Sequence, residues 1–321
     1  MKKQAFLALV MVFLWSHCSI HFDVLGKDKI EEVVLVPSKA KDKILIIDVS
    51  GIIGMSASPS MLKRESDSVS RVYYRLQKAS EDPRIKGIIL RLDTPGGEVT
   101  ASDIVYNEIK NFRKNTGIPV VSLMMGVAAS GGYYIASAGD HIIAHPSTIT
   151  GSIGVISIFP NLEELFGKIG VAMNVIKSGK MKDSGSAFRN MTEEDKAVFQ
   201  GVIDELYQKF LEAVVEGRDG SLTLEELKPI ADGRIYTAQQ ALKLKLIDEI
   251  GYFDRALSEV KLRANIKDAR VITFTYYPKK KTNIYAQSLD NLTLIDTENV
   301  KDLFPSLKSG FYYLWLPQFF N

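Results

Sequence analysis

Between Lys43 and Ile176 the sequence alternates between short apolar runs and segments with helical spacing. The apolar runs at residues 44–49, 85–92 and 118–125 each end near small residues, which is typical of buried strands. Residues 66–78 and 101–114, which lie between these runs, place their apolar side chains at helical intervals. The alternation predicts a parallel sheet with helices packed on it.

The second half of the chain is mostly helical by the same criteria. Before that helical part, the strand–helix alternation continues with predicted helices over 130–138 and 162–169 and predicted strands over 142–144 and 171–176. Thr192 then opens a Thr-Glu-Glu-Asp sequence like a capping box, and the helix after it is expected to reach about Glu216. Further helices are predicted over 224–230, 238–244 and 253–264, and a late strand over 271–276. The predicted fold class is α/β with a helical C-terminal part.

The N-terminus has the pattern of a targeting segment. Lys2 and Lys3 precede an unbroken apolar run from Ala5 to Trp15, which suits the core of a signal sequence better than a membrane span of about 20 residues. We expect residues 1–26 to be a signal anchor or signal peptide and residues 27–42 to be a linker. The alternative is a lipoprotein attached through Cys18, although Trp15-Ser16-His17 lacks the small residues that such sites prefer. In both cases the rest of the chain is expected outside the cytoplasm, tethered to a membrane.

Composition argues against several classes of protein and site. The 321 residues include 40 Lys and Arg against 38 Asp and Glu, a balance that argues against a nucleic-acid-binding surface. Cys18 is the single cysteine, so no intrachain disulfide can form. Only His141 and His145 lie outside the N-terminal segment, which is too few for a typical histidine-rich metal site. We predict no cofactor and no metal.

Ser130 lies at the predicted junction between strand 118–125 and the helix that follows it, in the sequence Ala128-Ala129-Ser130-Gly131-Gly132. Glycines at such a junction allow a substrate to approach the serine, and backbone N–H groups at a helix start can stabilise an oxyanion. A Ser-Gly-Gly sequence considered alone is more often an ordinary helix cap. A second segment, Asp93-Thr94-Pro95-Gly96-Gly97, follows strand 85–92 and exposes backbone N–H groups where α/β sheets bind ligands.

A serine nucleophile needs a base, and the sequence offers lysines as well as histidines. Residues 177–183 follow the predicted strand 171–176 and contain Lys177, Lys180 and Lys182. Burial in an apolar pocket disfavours the charged form of a lysine, which can then accept a proton near neutral pH. Taken alone, such a cluster is usually a solvated loop. Ser152 in Thr-Gly-Ser is a candidate to orient the lysine amine, while no motif marks His141 or His145 as a triad member.

Together these segments resemble the signal peptide peptidase A (protease IV) family of serine–lysine membrane proteases. That family has the Clp-protease/crotonase-like fold of repeated β-β-α and β-α units. The matching segments, in the family's order, are LRLDTPGGEV, VAASGGYYIASAGD, TITGSIGVI, IKSGKMKDSGSAFR and ADGRIYTAQQALKLKLIDEIG. Thr94 and Lys245 stand where the family often has serine and glycine.

The resemblance implies a role for each of these positions. Ser130 would be the nucleophile, Lys182 the base with Lys180 as its alternative, and Ser152 the residue that positions the lysine amine. The oxyanion hole would consist of Gly131 with Gly96 or Gly97, between which the sequence does not choose. We place the protease domain at residues 43–277 and a C-terminal extension at 278–321.

The resemblance also implies a biological setting. It is that of a membrane-tethered serine endopeptidase of the bacterial inner membrane, with its catalytic domain outside the cytoplasm. Its substrates would be cleaved signal peptides or other apolar peptides. It would assemble as a homo-oligomer and would not bind nucleic acid. Two alternatives remain, a crotonase-like acyl-thioester enzyme without a serine nucleophile and a non-enzymatic peptide-binding scaffold.

The apolar segment Phe311–Pro317 near the C-terminus needs a surface that covers it. We expect it to be buried either against a neighbouring subunit or in the apolar substrate groove of the protein's own assembly.

Overall fold

The structure, a computed structural model, describes residues 30–55, 59–60, 63–64, 68–275 and 311–315. The strands are β1 (Glu31–Val36), β2 (Lys43–Ser50), β3 (Pro59–Ser60), β4 (Lys63–Arg64), β5 (Ile85–Thr94), β6 (Gly96–Glu98), β7 (Val120–Ala129), β8 (His141–Ala144), β9 (Ile149–Gly151), β10 (Ile156–Ser157), β11 (Ile235–Thr237), β12 (Glu249–Ile250), β13 (Arg270–Thr275) and β14 (Phe311–Leu314). The helices are α1 (Ser68–Glu81), α2 (Val99–Thr116), α3 (Gly131–Ala136), α4 (Glu163–Lys168), α5 (Glu193–Gly217), α6 (Leu224–Leu227), α7 (Ala238–Lys243) and α8 (Phe253–Arg263), with a 3-10 turn at Lys228–Ile230.

The main sheet has the strand order β1-β13-β2-β5-β7-β8-β12. Every neighbouring pair from β13 to β12 is parallel, and β1 joins the edge antiparallel to β13. At its C-terminal end β7 also pairs in parallel with β9, which pairs antiparallel with β11. The parallel sheet expected from the β–α alternation is therefore present.

Helices cover both faces of this sheet, which explains the unbroken apolar runs of its strands. All residues of β2 are buried. On one face α1, α2, α3 and α5 enclose a core that includes Leu45, Leu90 and Phe210. On the other face α8 packs Phe253 and Val260 against the opposite sides of the same strands. The sheet thus holds the C-terminal ends of β5 and β7 in a rigid frame.

Two segments differ from the expectations drawn from the sequence. Part of the expected linker 27–42 is β1, which pairs with β13 in the main sheet. Residues 171–176, predicted as a strand, have no regular secondary structure, and the side chain of Ile176 is fully exposed at 100%. Strand propensity reflects packing against neighbouring strands, and no strand in the described part of the chain pairs with this segment.

A second, small sheet was not anticipated as such. Strand β14 lies between β10 and β6 and is antiparallel to both. Of the two locations expected for the apolar tail, residues 311–315 thus occupy a groove of their own chain. No helix among the described residues is both long enough and apolar enough to cross a membrane.

Candidate active site

Ser130 occupies the sharp turn between β7 and α3 and has a strained backbone. Its φ of 52° and ψ of −115° are unusual for a residue with a side chain, and such a conformation costs about 1–3 kcal/mol. The pairing of β7 with β9 holds it in place, because the Ser130 N–H donates to the Gly151 carbonyl at 2.8 Å. Ser130 is 1% exposed, and its side chain makes no capping hydrogen bond to α3. Its hydroxyl is therefore not used as a helix cap.

Gly96, Gly97 and Gly131 lie close together where β5 and β7 end. A Cβ atom on Gly96 would lie 2.8 Å from the Gly131 nitrogen, and one on Gly131 would lie 3.3 Å from the Gly96 Cα. Gly96 also has a φ of 100°, a conformation that favours glycine. A Cβ on Gly97 would lie 2.0 Å from the Ile53 carbonyl oxygen. These close approaches of the backbone explain why residues without a side chain occupy the three positions.

The hydroxyl of Thr94 fixes this glycine turn. It donates to the Gly51 carbonyl at 2.5 Å and accepts from the Gly96 N–H at 3.1 Å, while the whole residue is buried. On the other side of the turn, the Ile53 N–H donates to the Gly96 carbonyl at 2.9 Å. Thr94 stands where the resembled family often has serine, and the sequence alone does not reveal this role of its hydroxyl.

Ser152 lies near Ser130, at the end of the neighbouring strand β9. It has a φ of 49°, is buried, and donates its N–H to the Arg234 carbonyl at 2.8 Å. The residue before it, Gly151, accepts the backbone hydrogen bond from Ser130. The fold therefore places both serines at the C-terminal ends of two neighbouring strands, β7 and β9.

Lys182 differs from these buried serines in that it is exposed to solvent. It lies on an exposed turn, where its N–H donates to the Gly179 carbonyl at 3.1 Å. Among the described residues, no hydrogen bond joins Lys182 to Ser130 or Ser152. The described structure thus places the two serines and the glycines at the ends of adjoining strands, and Lys182 on an exposed turn.

The other two lysines of residues 177–183 are engaged in ion pairs. Lys177 contacts both carboxylate oxygens of Asp183 at 2.7 Å. Lys180 pairs with Glu194, whose hydrogen bond and charge raise the pKa of the lysine. An amine held charged in this way is a poor proton acceptor. Across the described residues Lys182 forms no ion pair.

His141 and His145, the two histidines outside the N-terminal segment, form no hydrogen bond with Ser130 among the described residues. His141 begins β8 and pairs with Val121, near the opposite end of β7. Its side chain belongs to a group with Glu249 and Glu259 whose potential ligand atoms lie within 4.8 Å of one another, the one such group in the described residues. Arg255 already pairs with both of these glutamates. His145 bonds to Ser147 and packs against Tyr252.

A strand of the chain itself lies along the glycine turn. In β14, Tyr312, Tyr313 and Leu314 pair with Glu98, Gly97 and Gly96. The Trp315 N–H extends this pairing with a 2.9 Å hydrogen bond to the Pro95 carbonyl. The Tyr313 carbonyl oxygen would lie 2.0 Å from a Cβ on Gly96 and 3.1 Å from one on Gly131. The groove beside Ser130 therefore accepts an extended peptide.

Comparison with known proteins identifies relatives that are peptidases. The profile of Peptidase family S49 matches residues 112–267. The Clp protease profile matches residues 61–149, which confirms the expected Clp-protease-like fold. The chain is 34% identical, over 82% of its length, to a putative signal peptide peptidase SppA of Enterococcus faecium, and covers 74% of that relative.

Longer relatives match over a similar part of this chain. Identity to Protease 4 of Haemophilus influenzae is 35%, over 70% of this chain and 35% of the relative. Identity to the chloroplastic serine protease SPPA of Arabidopsis thaliana is 31%, over 76% of this chain and 36% of the relative. The chain belongs to peptidase family S49 and is a serine peptidase with a Clp-protease-like fold.

Proposed function

We propose that this peptidase is an endopeptidase that cleaves extended apolar peptides with Ser130 as nucleophile and Lys182 as base. One observation carries the proposal. A peptide strand, residues 311–315, lies antiparallel to Gly96–Glu98, and its Tyr313 carbonyl adjoins Gly96 and Gly131 next to Ser130. An extended substrate bound in this manner would present its backbone carbonyl to the serine.

The proposed mechanism proceeds through an acyl-enzyme. The mechanism requires the exposed turn that carries Lys182 to close over Ser130 in the active protein. The neutral amine of Lys182 then takes the hydroxyl proton as the Ser130 oxygen attacks the carbonyl carbon of the scissile bond. The N–H groups of Gly131 and Gly97 stabilise the oxyanion, since the Gly96 N–H already donates to the Thr94 hydroxyl. The C–N bond then breaks, and the proton passes from Lys182 to the leaving amine. Water hydrolyses the ester by the same route, and the serine recovers its proton.

The ion pairs of residues 177–183 support Lys182 as the base. Lys177 and Lys180 are engaged in ion pairs with Asp183 and Glu194, and the pairing with Glu194 raises the pKa of Lys180. Lys182 has no such partner among the described residues. Ser152, buried at the edge next to Ser130, would position the lysine amine.

An exposed apolar strip supports the proposal that the protein is a homo-oligomer. Within residues 165–176, the large apolar side chains that are about half exposed or more are those of Leu165, Ile169, Met173, Val175 and Ile176. Soluble monomers rarely expose large apolar patches, so side chains this exposed and this close in sequence favour a partner that covers them. A subunit that covers the strip would also shield residues 177–183, which follow it in the chain.

The biological setting is part of the same proposal. Residues 1–26 would anchor the protease domain, residues 43–277, on the outer side of a bacterial inner membrane, with lipidation of Cys18 as the alternative. These N-terminal residues lie outside the described part of the chain. The relative named a putative signal peptide peptidase supports spent signal peptides or other apolar membrane-associated peptides as substrates.

Active-site labelling and variants of the loop lysines test the proposal. A serine-directed phosphonate should label the wild-type protein once per chain and should not label Ser130→Ala. Lys182→Ala should abolish cleavage of an apolar fluorogenic peptide, whereas Lys180→Ala, the matched control, should retain it. The reverse result for the two lysines would refute the base assignment. An unlabelled wild type would favour the crotonase-like or scaffold alternative.

A further inference from the structure

We propose that Asp93 is a positioning residue of the peptidase, because its carboxylate holds the bulged end of β7 from which Ser130 projects. Asp93 acts through the backbone of Val127 and not on the substrate itself. The inference rests on the proposed function, in which Ser130 is the nucleophile, and it names the group that keeps this serine in register with the oxyanion hole.

Strand β7 carries a bulge shortly before Ser130. Where β5 has the single residue Asp93, β7 has residues 125–127, so the pairing of the two strands shifts at this point. Before the bulge β7 pairs with β8, and after it β7 pairs with β9. Bulges beside active sites typically re-aim the side chains that follow them. The bulge therefore sets the direction in which the chain leaves the sheet towards the nucleophile.

Two side chains from neighbouring segments bind the backbone of the bulge. The Asp93 carboxylate accepts the Val127 N–H at 3.1 Å. From the side of β9, the hydroxyl of the buried Thr148 donates to the Met125 carbonyl at 2.5 Å. A hydrogen bond to a carboxylate is charge-assisted and roughly twice as strong as a neutral one. Asp93 is therefore the principal side-chain anchor of the bulge on the side of β5.

Asp93 and Thr94, which are adjacent in β5, bind the two halves of the site. Side chains of successive strand residues point to opposite faces of a sheet. The Thr94 hydroxyl accepts the Gly96 N–H of the glycine turn, whereas the Asp93 carboxylate accepts an N–H of the strand that ends at Ser130. One dipeptide thus opposes any shift of the serine relative to the turn, and Asp93 holds the serine side of that arrangement.

Asp140 provides a matched control at the other end of β7. Its carboxylate accepts the Val120 N–H at 2.7 Å, and it also forms an ion pair with Arg113. Loss of Asp140 should therefore lower the stability of the fold at least as much as loss of Asp93. The two carboxylates bind the same strand but at opposite ends of it, so comparing them separates the positioning of Ser130 from general stability.

Steady-state kinetics of full-length variants on the apolar fluorogenic peptide test the inference. Asp93→Leu removes the acceptor at similar size, so kcat should fall about 10- to 100-fold, since a misplacement of about 1 Å costs about 100-fold. KM should stay within about threefold, because Thr94 still holds the glycine turn. Asp93→Asn retains an acceptor oxygen and should recover most of kcat. Asp140→Leu should have a lower Tm but a kcat like that of the wild type.

Three results would overturn the positioning role. They are a wild-type kcat in Asp93→Leu, equal losses of kcat in Asp93→Leu and Asp93→Asn, and equal losses in Asp93→Leu and Asp140→Leu. If Asp93→Leu does not fold, Asp93→Ala, which adds no apolar bulk, replaces it with the same expected outcomes. The rate constant for labelling by the serine-directed phosphonate should fall together with kcat, because it reports the reactivity of Ser130 without peptide binding.

The same set of proteins separates this inference from the proposed function. A Ser130→Ala variant that still cleaves the peptide would refute the proposed nucleophile and with it the role of Asp93. An inactive Ser130→Ala beside a fully active Asp93→Leu would refute the role of Asp93 alone. Amide hydrogen exchange at Val127, which does not depend on cleavage, should be faster in Asp93→Leu than in the wild type, and unchanged exchange would contradict the anchor.

Discussion

Gly96 is the residue at which an added methyl group should be least tolerated. Its Cβ would lie 2.0 Å from the Tyr313 carbonyl oxygen and 2.8 Å from the Gly131 nitrogen, at a φ of 100°. We expect Gly96→Ala to reduce kcat/KM on the apolar peptide by about 100-fold or more, because the methyl group would take the place of the reacting carbonyl and push aside the Gly131 N–H, an effect comparable to losing an oxyanion donor. Gly167→Ala is the control, because nothing lies within 4 Å of its Cβ, and it should leave activity unchanged. Full activity in Gly96→Ala would show that this turn does not hold the reacting carbonyl.

Thr94 carries a second prediction at the same scale. Its hydroxyl is the hydrogen-bond link between the Gly51 carbonyl and the Gly96 N–H. Thr94→Val keeps the shape but removes the link, so we expect kcat to fall about 10- to 100-fold through misplacement of the turn. Thr94→Ser retains the hydroxyl and should restore most of the activity. The measurement is steady-state kinetics of both variants, and equal rates for the valine and serine variants would contradict a positioning role.

Among the structural elements, the loop that carries Lys182 depends on a network of charges. Hydrogen bonds from Arg189 and then from Lys177 lower the pKa of Asp183 to about 2, below the ordinary value of about 3.9. Because the folded pKa is the lower one, its stabilisation is present above about pH 4 and is lost as the pH falls towards about 2.

The direction of this pH dependence can be tested by thermal unfolding. Asp183→Asn should melt below the wild type at neutral pH, and the gap in Tm should narrow as the pH falls from about 4 to about 2. Asp219→Asn is the control, because the Asp219 carboxylate has no ion pair within the described ranges, and it should show no such trend. A gap that is constant with pH would mean that this carboxylate does not stabilise the loop.

The elements also show how far a sequence can be interpreted. The apolar runs that became β2, β5 and β7 were predictable because each is buried by the chain's own helices. Thr192 caps α5 in a capping box with Asp195, a local interaction that four adjacent residues encode. Residues 171–176 have the same apolar character as those strands but no strand partner in the described chain. Periodicity cannot reveal whether a partner is available.

The candidate active site also has parts that the sequence predicts and parts that it does not. Ser130, Ser152 and the glycines could be named because they lie within short motifs at strand ends. The site that buries the Tyr313 side chain between Tyr134 and Phe210 could not be predicted, because α3, α5 and β14 are far apart in sequence and meet only in the folded chain. The sequence also gave no register for the tail. Backbone pairing set that register, and a residue pattern alone does not encode it.

For the whole molecule, the tail is expected to inhibit. Because β14 fills the groove beside Ser130, a substrate must displace it. Tyr313→Ala and a truncation after Gly310 should both raise kcat/KM on small peptides and leave the elution volume of the protein in size-exclusion chromatography essentially unchanged. Initial rates and size-exclusion chromatography test this. Inactive monomers after truncation would show instead that the tail is an oligomer contact.

The central position of β14 between β6 and β10 has a consequence for substrate choice. An attached segment competes at an effective concentration in the millimolar range, so a dilute free peptide is at a disadvantage against it. A peptide confined to a thin surface layer is locally far more concentrated than one in bulk solution and can match that competitor. The groove would then discriminate by where a peptide resides as well as by its sequence, and stray soluble chains would be spared.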